Sequence, residues 1–180
     1  MYVDVGFSAK ARSSGIAVGA AAPLELTFAQ LVRAVVDTAC QTGEPMNLLI
    51  EAPLSVAFSL DGNPTGRSIE ERKGKAPRFW YTGPGAAVLV AAQHLIRAVV
   101  DAKPRRDIRL IEGFASFKKK DMKSSHAGDV AALRQIVHGQ GGGRVVVPEA
   151  LLRNPTDKVQ SAFLVMGLNC GVPPIVVVDG

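Results

Sequence analysis

The sequence MYVDVGF at residues 1–7 is followed by SGIAVG at residues 14–19, with a small, basic connection between them. Two short runs rich in β-branched and apolar residues around such a connection predict a β-hairpin. Asp4 stands inside the first apolar run, and a buried carboxylate normally pairs or binds a metal because burying it unpaired is costly. Gly6 favours that interpretation, since glycine lets another group approach the backbone closely. The alternative is a solvated aspartate on an edge strand.

The composition is that of a folded domain. With 180 residues, of which 47% are hydrophobic and 21% charged, residues 1–180 are expected to form one domain and not a disordered chain. No stretch reaches the roughly 18 consecutive apolar residues of a membrane span, so we expect no membrane partner and a cytoplasmic location. Cys40 and Cys170 are isolated from each other, which predicts reduced thiols and not a zinc site or a disulfide framework.

The positive charge is concentrated in one stretch of the chain. The formal net charge is +5, and residues 103–123 hold eight lysine and arginine residues against three acidic residues. A localised basic surplus indicates a polyanionic partner, of which nucleic acid is the commonest. The alternative is a solvated, lysine-rich loop that serves solubility.

An α/β pattern follows the hairpin. Leu24–Leu26 predicts a third short strand, and Thr27 and Gln30 have the spacing of a capping box at the start of a helix. Residues 46–53 are a near-continuous apolar run that is typical of a central strand in an α/β sheet. Glu51 lies near the carboxyl end of this run, where open α/β sheets usually bind their ligands.

The second half of the chain continues the alternation of helices and strands. A strand and not a helix follows its glycine loop, so this loop is not a phosphate-binding P-loop. The predicted elements are a helix from Pro84 to Lys103, a strand at 108–112 ending near Glu112, a helix that begins near Ser125, the glycine loop at 139–143, a strand at 145–147, a helix at 154–166 and a strand at 175–178.

Residues 54–82 are predicted to be an irregular loop, because glycine and proline interrupt every periodic pattern. Loops of this length in a small domain are usually functional or mobile. Basic residues beside aromatic rings suit a nucleic-acid strand, since cations meet phosphates and rings stack on bases. An alternative for the aromatic trio at 79–81, favoured for Phe79, is that it fills the core. The candidate contacts in this loop are Arg67, Arg72, Lys73, Lys75, Arg78 and Trp80.

Four motifs in order resemble the ribonuclease H superfamily, and most closely its RuvC-like resolvases and related predicted nucleases. They are the Asp-x-Gly strand at Asp4, the small-residue–glycine pair at Ser14, a glutamate at the end of the fourth strand at Glu51, and His-x-x-Asp from His126 to Asp129. The resemblance covers residues 1–138. It implies an α/β fold with a central mixed sheet flanked by helices, to which residues 144–180 would add a helix and a strand.

The resemblance also implies a function. It assigns Asp4, Glu51, His126 and Asp129 to a site for Mg²⁺ or Mn²⁺, with His126 either a ligand or a base, and Lys118 to the reacting phosphate. The implied activity is hydrolysis of phosphodiester bonds in branched or otherwise structured DNA or RNA/DNA, with Lys119 a further contact. Whether the protein forms a homodimer is left undecided by the resemblance. The alternatives are a catalytically inactive binding module of the same fold and an actin-like nucleotide enzyme, although the actin-like architecture normally needs a duplicated domain and this chain is too short for one.

Overall fold

The computed structural model describes residues 1–6, 13–41, 43–71, 74, 78–115, 125–161 and 172–178. Within these residues, seven strands form one mixed sheet, three α-helices flank it, and three short strands form a second sheet. In chain order the elements are β1 (Tyr2–Val5), β2 (Ser14–Ala17), β3 (Leu24–Leu26), α1 (Phe28–Ala39), β4 (Met46–Glu51), β5 (Ser55–Phe58), β6 (Pro64–Thr65), α2 (Pro84–Asp101), β7 (Ile108–Phe114), α3 (His126–Val137), β8 (Gly143–Val146), β9 (Lys158–Ser161) and β10 (Ile175–Val178). An α/β fold with a central mixed sheet is thus confirmed.

The large sheet has the strand order β3-β2-β1-β4-β7-β10-β8. Its central strands β1, β4, β7 and β10 are parallel, whereas β2, β3 and β8 join antiparallel at the two sides. The predicted hairpin is confirmed by the antiparallel pairing of β1 with β2. Because the central strands are parallel, their carboxyl ends share one edge of the sheet, the carboxyl edge, and their amino ends share the opposite one, the amino edge.

Alternate residues of the central strands pack against different helices. Val3 and Ile50 belong to a buried cluster that includes residues of α1 and α2, such as Leu31 and Leu95. Tyr2, Leu49 and their neighbours belong to a separate cluster with Val130, Leu133 and Ile136 of α3. Since successive strand residues point to opposite faces, α3 covers the face that Tyr2 and Asp4 share.

The helices begin where the sequence predicts. Gln30 donates its backbone N–H to Thr27 Oγ1 at 3.2 Å, and its side chain accepts from the Thr27 N–H at 3.1 Å, which completes the capping box of α1. The Gly128 N–H donates to Ser125 Oγ at 3.0 Å and so caps α3. The described helices include none with the length and hydropathy of a membrane span.

Two predictions about regular structure are wrong. Residues 54–82 are not wholly irregular, because they contain β5, β6 and a 3₁₀ turn at Ser68–Glu70. The predicted helix at 154–166 is replaced, in its described part, by a turn and then by β9, which pairs antiparallel with β5. The turn forms because Asn154 accepts the N–H of Thr156 through its side chain, at 3.2 Å, and that of Asp157 through its carbonyl, at 3.0 Å.

Candidate metal centre

Asp4 and Glu51 are brought together by the register of two parallel strands. Asp4 of β1 is paired with Glu51 of β4, so their side chains point to the same face of the sheet. Both residues lie towards the carboxyl edge, and their exposed fractions are only 5% and 7%. On the far side of β4, Glu51 is paired with Gly113 of β7. A side chain at position 113 would lie 2.8 Å from a Leu49 methyl carbon, so glycine permits close packing beside the site.

Asp129 completes the group from the first turn of α3. Val130 and Leu133, which are fully buried, seat this helix on the face that carries Asp4. Asp129 is itself buried, with 7% of its surface exposed. One carboxylate oxygen from each of Asp4, Glu51 and Asp129 lies within 4.8 Å of the other two. The predicted convergence of these three carboxylates is confirmed.

His126 contacts this group through Asp4. Its Nδ1 forms a 2.7 Å hydrogen bond with Asp4 Oδ2, and about a third of its side chain, 33%, remains exposed. This hydrogen bond raises the pKa of His126, and the charges of Asp4 and Asp129 add to the effect while partial burial opposes it. The group of converging ligand atoms consists of the three carboxylates without His126. In the described geometry His126 holds the candidate ligand Asp4 in place and lies outside the group of converging ligand atoms.

Two glycines of the hairpin make room for this histidine. A Cβ at Gly6 would collide with the carbonyl of Ser13 and with the imidazole ring of His126. A Cβ at Gly15 would collide with the backbone carbonyl of His126 and touch Val130. The glycines of the Asp-x-Gly and Ser-Gly motifs therefore serve a steric purpose, which is to let the start of α3 approach β1 and β2.

The donor set of the site suits a hard divalent cation. Carboxylate oxygens are the ligands that Mg²⁺ prefers, and two ligands of one Mg²⁺ ion are at most about 4.2 Å apart at bond lengths of 2.0–2.1 Å. Oxygens that already lie within 4.8 Å of one another need only small movements to meet that limit. Three buried carboxylates also repel one another, and a bound cation removes that repulsion. Asp4, Glu51 and Asp129 can therefore hold a metal ion.

Arg67 does not provide the predicted nucleic-acid contact. Its side chain is fully buried, and it donates from Nη1 to Glu112 Oε1 at 2.8 Å and from Nη2 to Glu70 Oε1 at 3.0 Å. Nη1 also donates to Ser55 Oγ at 2.8 Å, and this hydroxyl donates to Glu112 Oε2 at 2.7 Å. A guanidinium enclosed by two carboxylates is inaccessible to a phosphate, so this prediction is wrong.

Trp80 is also misassigned as a contact for nucleic acid. Only 9% of it is exposed, and its ring packs edge-on against Phe114 with 4.7 Å between the ring centroids. Phe79, which was expected to fill the core, is half-buried and stacks on Tyr81 at 5.6 Å. Arg78 is exposed, as a contact residue must be. The other candidate contacts lie outside the described residues, namely Arg72, Lys73, Lys75, Lys118 and Lys119.

The buried cluster of Arg67, Glu70, Ser55 and Glu112 is a feature that sequence analysis missed. Glu112 is paired with Ile50, so it faces away from the side of the sheet that carries Glu51. Burial raises its pKa, and the contacts with Arg67 and Ser55 oppose that change. The sequence did contain a sign of this cluster, because Glu112, like Asp4, is a carboxylate within an apolar strand and such a group needs a partner.

Comparison of this chain with protein-family models, with curated proteins and with solved structures found no match.

Proposed function

We propose that this protein is a metal-dependent nuclease of the ribonuclease H-like type, which hydrolyses phosphodiester bonds of structured nucleic acid. The observation that carries the proposal is the convergence of Asp4, Glu51 and Asp129, with an oxygen of each within 4.8 Å of the others. The three residues come from two strands and a helix, in the order and arrangement that the resemblance to RuvC-like nucleases implies. The mixed sheet with this site at its carboxyl edge supports the same assignment.

The chemistry of the site suits this reaction. Divalent cations bound by carboxylates supply charge neutralisation at the phosphate and a water of lowered pKa. Asp4, Glu51 and Asp129 would hold the cation through an all-oxygen set, which suits Mg²⁺ and also accepts Mn²⁺. His126 contributes no atom to the converging ligand group, so this set lacks an imidazole ligand that would favour Mn²⁺. Mg²⁺ is therefore the first choice.

The remaining residues of the site position the carboxylates. His126 fixes the orientation of Asp4 and, when protonated, places a positive charge beside the three negative ones. The pairing of β1 with β4 fixes Glu51 against Asp4. Ser125 anchors the first turn of α3, from which Asp129 projects. Every positioning contact is built on regular structure, which gives the precise geometry that hydrolysis needs.

The proposal is tested by cleavage of a branched DNA and of an RNA/DNA hybrid with Mg²⁺ or Mn²⁺. Asp4→Asn removes the charge at the centre of the site while keeping its shape, and we expect it to lower the cleavage rate at least a hundredfold, the scale typical of catalytic electrostatics. Binding of the same substrates should persist. Asp37→Asn, which removes an exposed aspartate of α1, is the matched control and should cut normally.

Two results would contradict the proposal. One is a wild-type protein that binds these substrates and cuts neither of them with either ion, which would leave the inactive binding module. The other is an Asp4→Asn protein that cuts as fast as the wild type, since the three carboxylates would then have no part in the reaction.

A further inference from the structure

The structure contains a second polar site, at the amino edge of the sheet. An open cavity of about 910 Å³ lies there. It is lined by the start of β1, the end of α1, the start of β4 and the end of α3, and its polar lining includes Tyr2, Asn47, Arg106, Arg134, His138 and Gln140. No acidic residue is found among the described residues that line it. With two guanidinium groups and no carboxylate, the cavity has the electrostatic character of an anion site.

Both arginines are held in place by the backbone and still have donors to offer. Among the hydrogen bonds of the described residues, Arg134 donates only from Nη1, to the carbonyls of Gly19 and Ala21. Since a guanidinium has five N–H donors, its Nε and Nη2 groups remain for another acceptor. Arg106 uses one N–H on each of its three nitrogens, towards the carbonyls of Glu44 and Thr38. Its Nη groups each keep a second hydrogen.

Aromatic and amide groups accompany these cations. Tyr2 Oη lies 3.4 Å from His138 Nε2, and the two rings are tilted against each other with centroids 6.4 Å apart. His138 and Gln140 are exposed at the rim. Pre-positioned arginine forks bind phosphate oxygens bidentately, and a volume of several hundred cubic ångströms is that of a site for a whole small molecule.

Part of the basic stretch at 103–123 lies at this cavity, which Arg106 lines. At the amino end of β7, the exposed Lys103, Arg105 and Arg109 flank Arg106 and outnumber the exposed Asp107 among them, so this segment carries a net positive charge. The metal centre lies at the other edge of the sheet. Asp129 and His138 are nine residues apart on or at the end of α3, or about 14 Å at 1.5 Å per residue. That separation equals about four base-pair steps of a duplex at 3.4 Å each.

We propose that the cavity at the amino edge is a binding site for a phosphate group, distinct from the metal centre. The group is presented either by a free nucleotide or by the backbone of a nucleic acid that extends past the metal centre. Both sources offer the same tetrahedral oxygens to Arg106 and Arg134.

The test is a titration in EDTA, so that the metal centre has no part in the result. Inorganic phosphate, a nucleoside monophosphate and a short single-stranded oligonucleotide are added separately to the whole chain, with acetate at equal ionic strength as the control anion. We expect saturable shifts in the NMR signals of the Arg134 Nε–H and the Gln140 side-chain amide with phosphate compounds and none with acetate. Absence of saturable binding by all three phosphate compounds would overturn the proposal.

Charge variants at Gln140 locate the site without removing a structural hydrogen bond. The side chain of Gln140 is exposed and lines the cavity, so Gln140→Glu should weaken phosphate binding about three- to tenfold and Gln140→Lys should strengthen it. Gln160→Glu, at an exposed position of β9, changes the net charge equally and should have no effect. Equal weakening by Gln140→Glu and Gln160→Glu would overturn the assignment to this cavity.

The same variants separate the two sources. If Gln140→Glu weakens the oligonucleotide and the mononucleotide displaces it, the nucleic-acid backbone occupies the cavity. If Gln140→Glu weakens only the mononucleotide, a free nucleotide does. Either result supports a phosphate site, and neither depends on cleavage by the metal centre.

Discussion

Replacing Glu51 with glutamine should stabilise the metal-free protein and abolish its response to Mg²⁺. Two carboxylate charges 4.8 Å apart repel by about 3 kcal/mol at an effective dielectric constant of 20. Glu51→Gln keeps the shape of the side chain and removes two such pairs, those with Asp4 and Asp129. The protonated form of His126 and the other neighbours of the site offset much of that repulsion, so we expect a net gain of about 1–3 kcal/mol.

Thermal unfolding measures this gain. In a chain of this size 1 kcal/mol corresponds to about 2–4 °C in the melting temperature, so Glu51→Gln should melt about 2–12 °C higher in EDTA. Saturating Mg²⁺ at a hundred times its dissociation constant should stabilise the wild type by about 2.7 kcal/mol and the variant by almost nothing. Glu44→Gln, at an exposed position, should change neither value. A variant that melts lower in EDTA, or that keeps the full response to Mg²⁺, would refute the reasoning.

Three further predictions concern Gly6 and His126 beside the site and Arg67 in the buried cluster. Gly6→Ala should lower the free energy of unfolding by about 1–3 kcal/mol, because its methyl group collides with His126. Gly142→Ala, whose methyl group meets only open space, should not lower it. Chemical denaturation compares the two variants, and equal stabilities would contradict the steric argument. Arg67→Met should cost about 3–5 kcal/mol by leaving two buried carboxylates without their cation, and a melting temperature equal to the wild type would show that the buried cluster is not stabilising. The hydrogen bond to Asp4 raises the pKa of His126 in the folded protein. In EDTA, the stabilisation that protonated His126 gives the fold should therefore be complete below a pH of about 6.5 and lost as the pH rises through the raised pKa. The free energy of unfolding measured against pH should lose this dependence in His126→Gln and keep it in His94→Gln, at an exposed position.

The convergence of the three carboxylates was predictable from the resemblance to the ribonuclease H superfamily, which implies that β1 and β4 are neighbours in one sheet. An aspartate in β1 and a glutamate near the end of β4 meet wherever two parallel strands are neighbours, since their carboxyl ends share an edge. The capping serine of α3 then fixes where Asp129 lies in its helix. The hydrogen bond between His126 and Asp4 could not be predicted, because it depends on the packing distance of α3 and on the space that Gly6 leaves.

The wrong assignments have a common physical cause, which is pairing with distant residues. Residues 158–161 form a strand because β5, about a hundred residues earlier, pairs with them, and local periodicity contains no information about that partner. Arg67 suggested a nucleic-acid contact because a basic residue in a loop is usually exposed. Its partner Glu112 is 45 residues away, so only the folded chain shows that the charge is buried and paired.

The fate of the basic stretch at 103–123 shows a further limit of charge patterns. The sequence indicates one polyanion-binding segment, but β7 separates residues 103–107, at the amino edge of the sheet, from residues beyond 115, which follow its carboxyl end in the chain. A strand of seven residues places its two ends about 20 Å apart. Counting the basic residues of 103–123 together therefore combines two segments that lie on either side of β7 along the chain.

The central claim, that Asp4, Glu51 and Asp129 form a divalent-metal site, is tested most directly by anomalous diffraction from crystals soaked in Mn²⁺. The account predicts an anomalous peak within coordination distance of a carboxylate oxygen from each of the three residues, and the loss of that peak in Asp129→Asn crystals. A well-ordered wild-type crystal in saturating Mn²⁺ with no peak between these carboxylates, or with an unchanged peak in the variant, would contradict it.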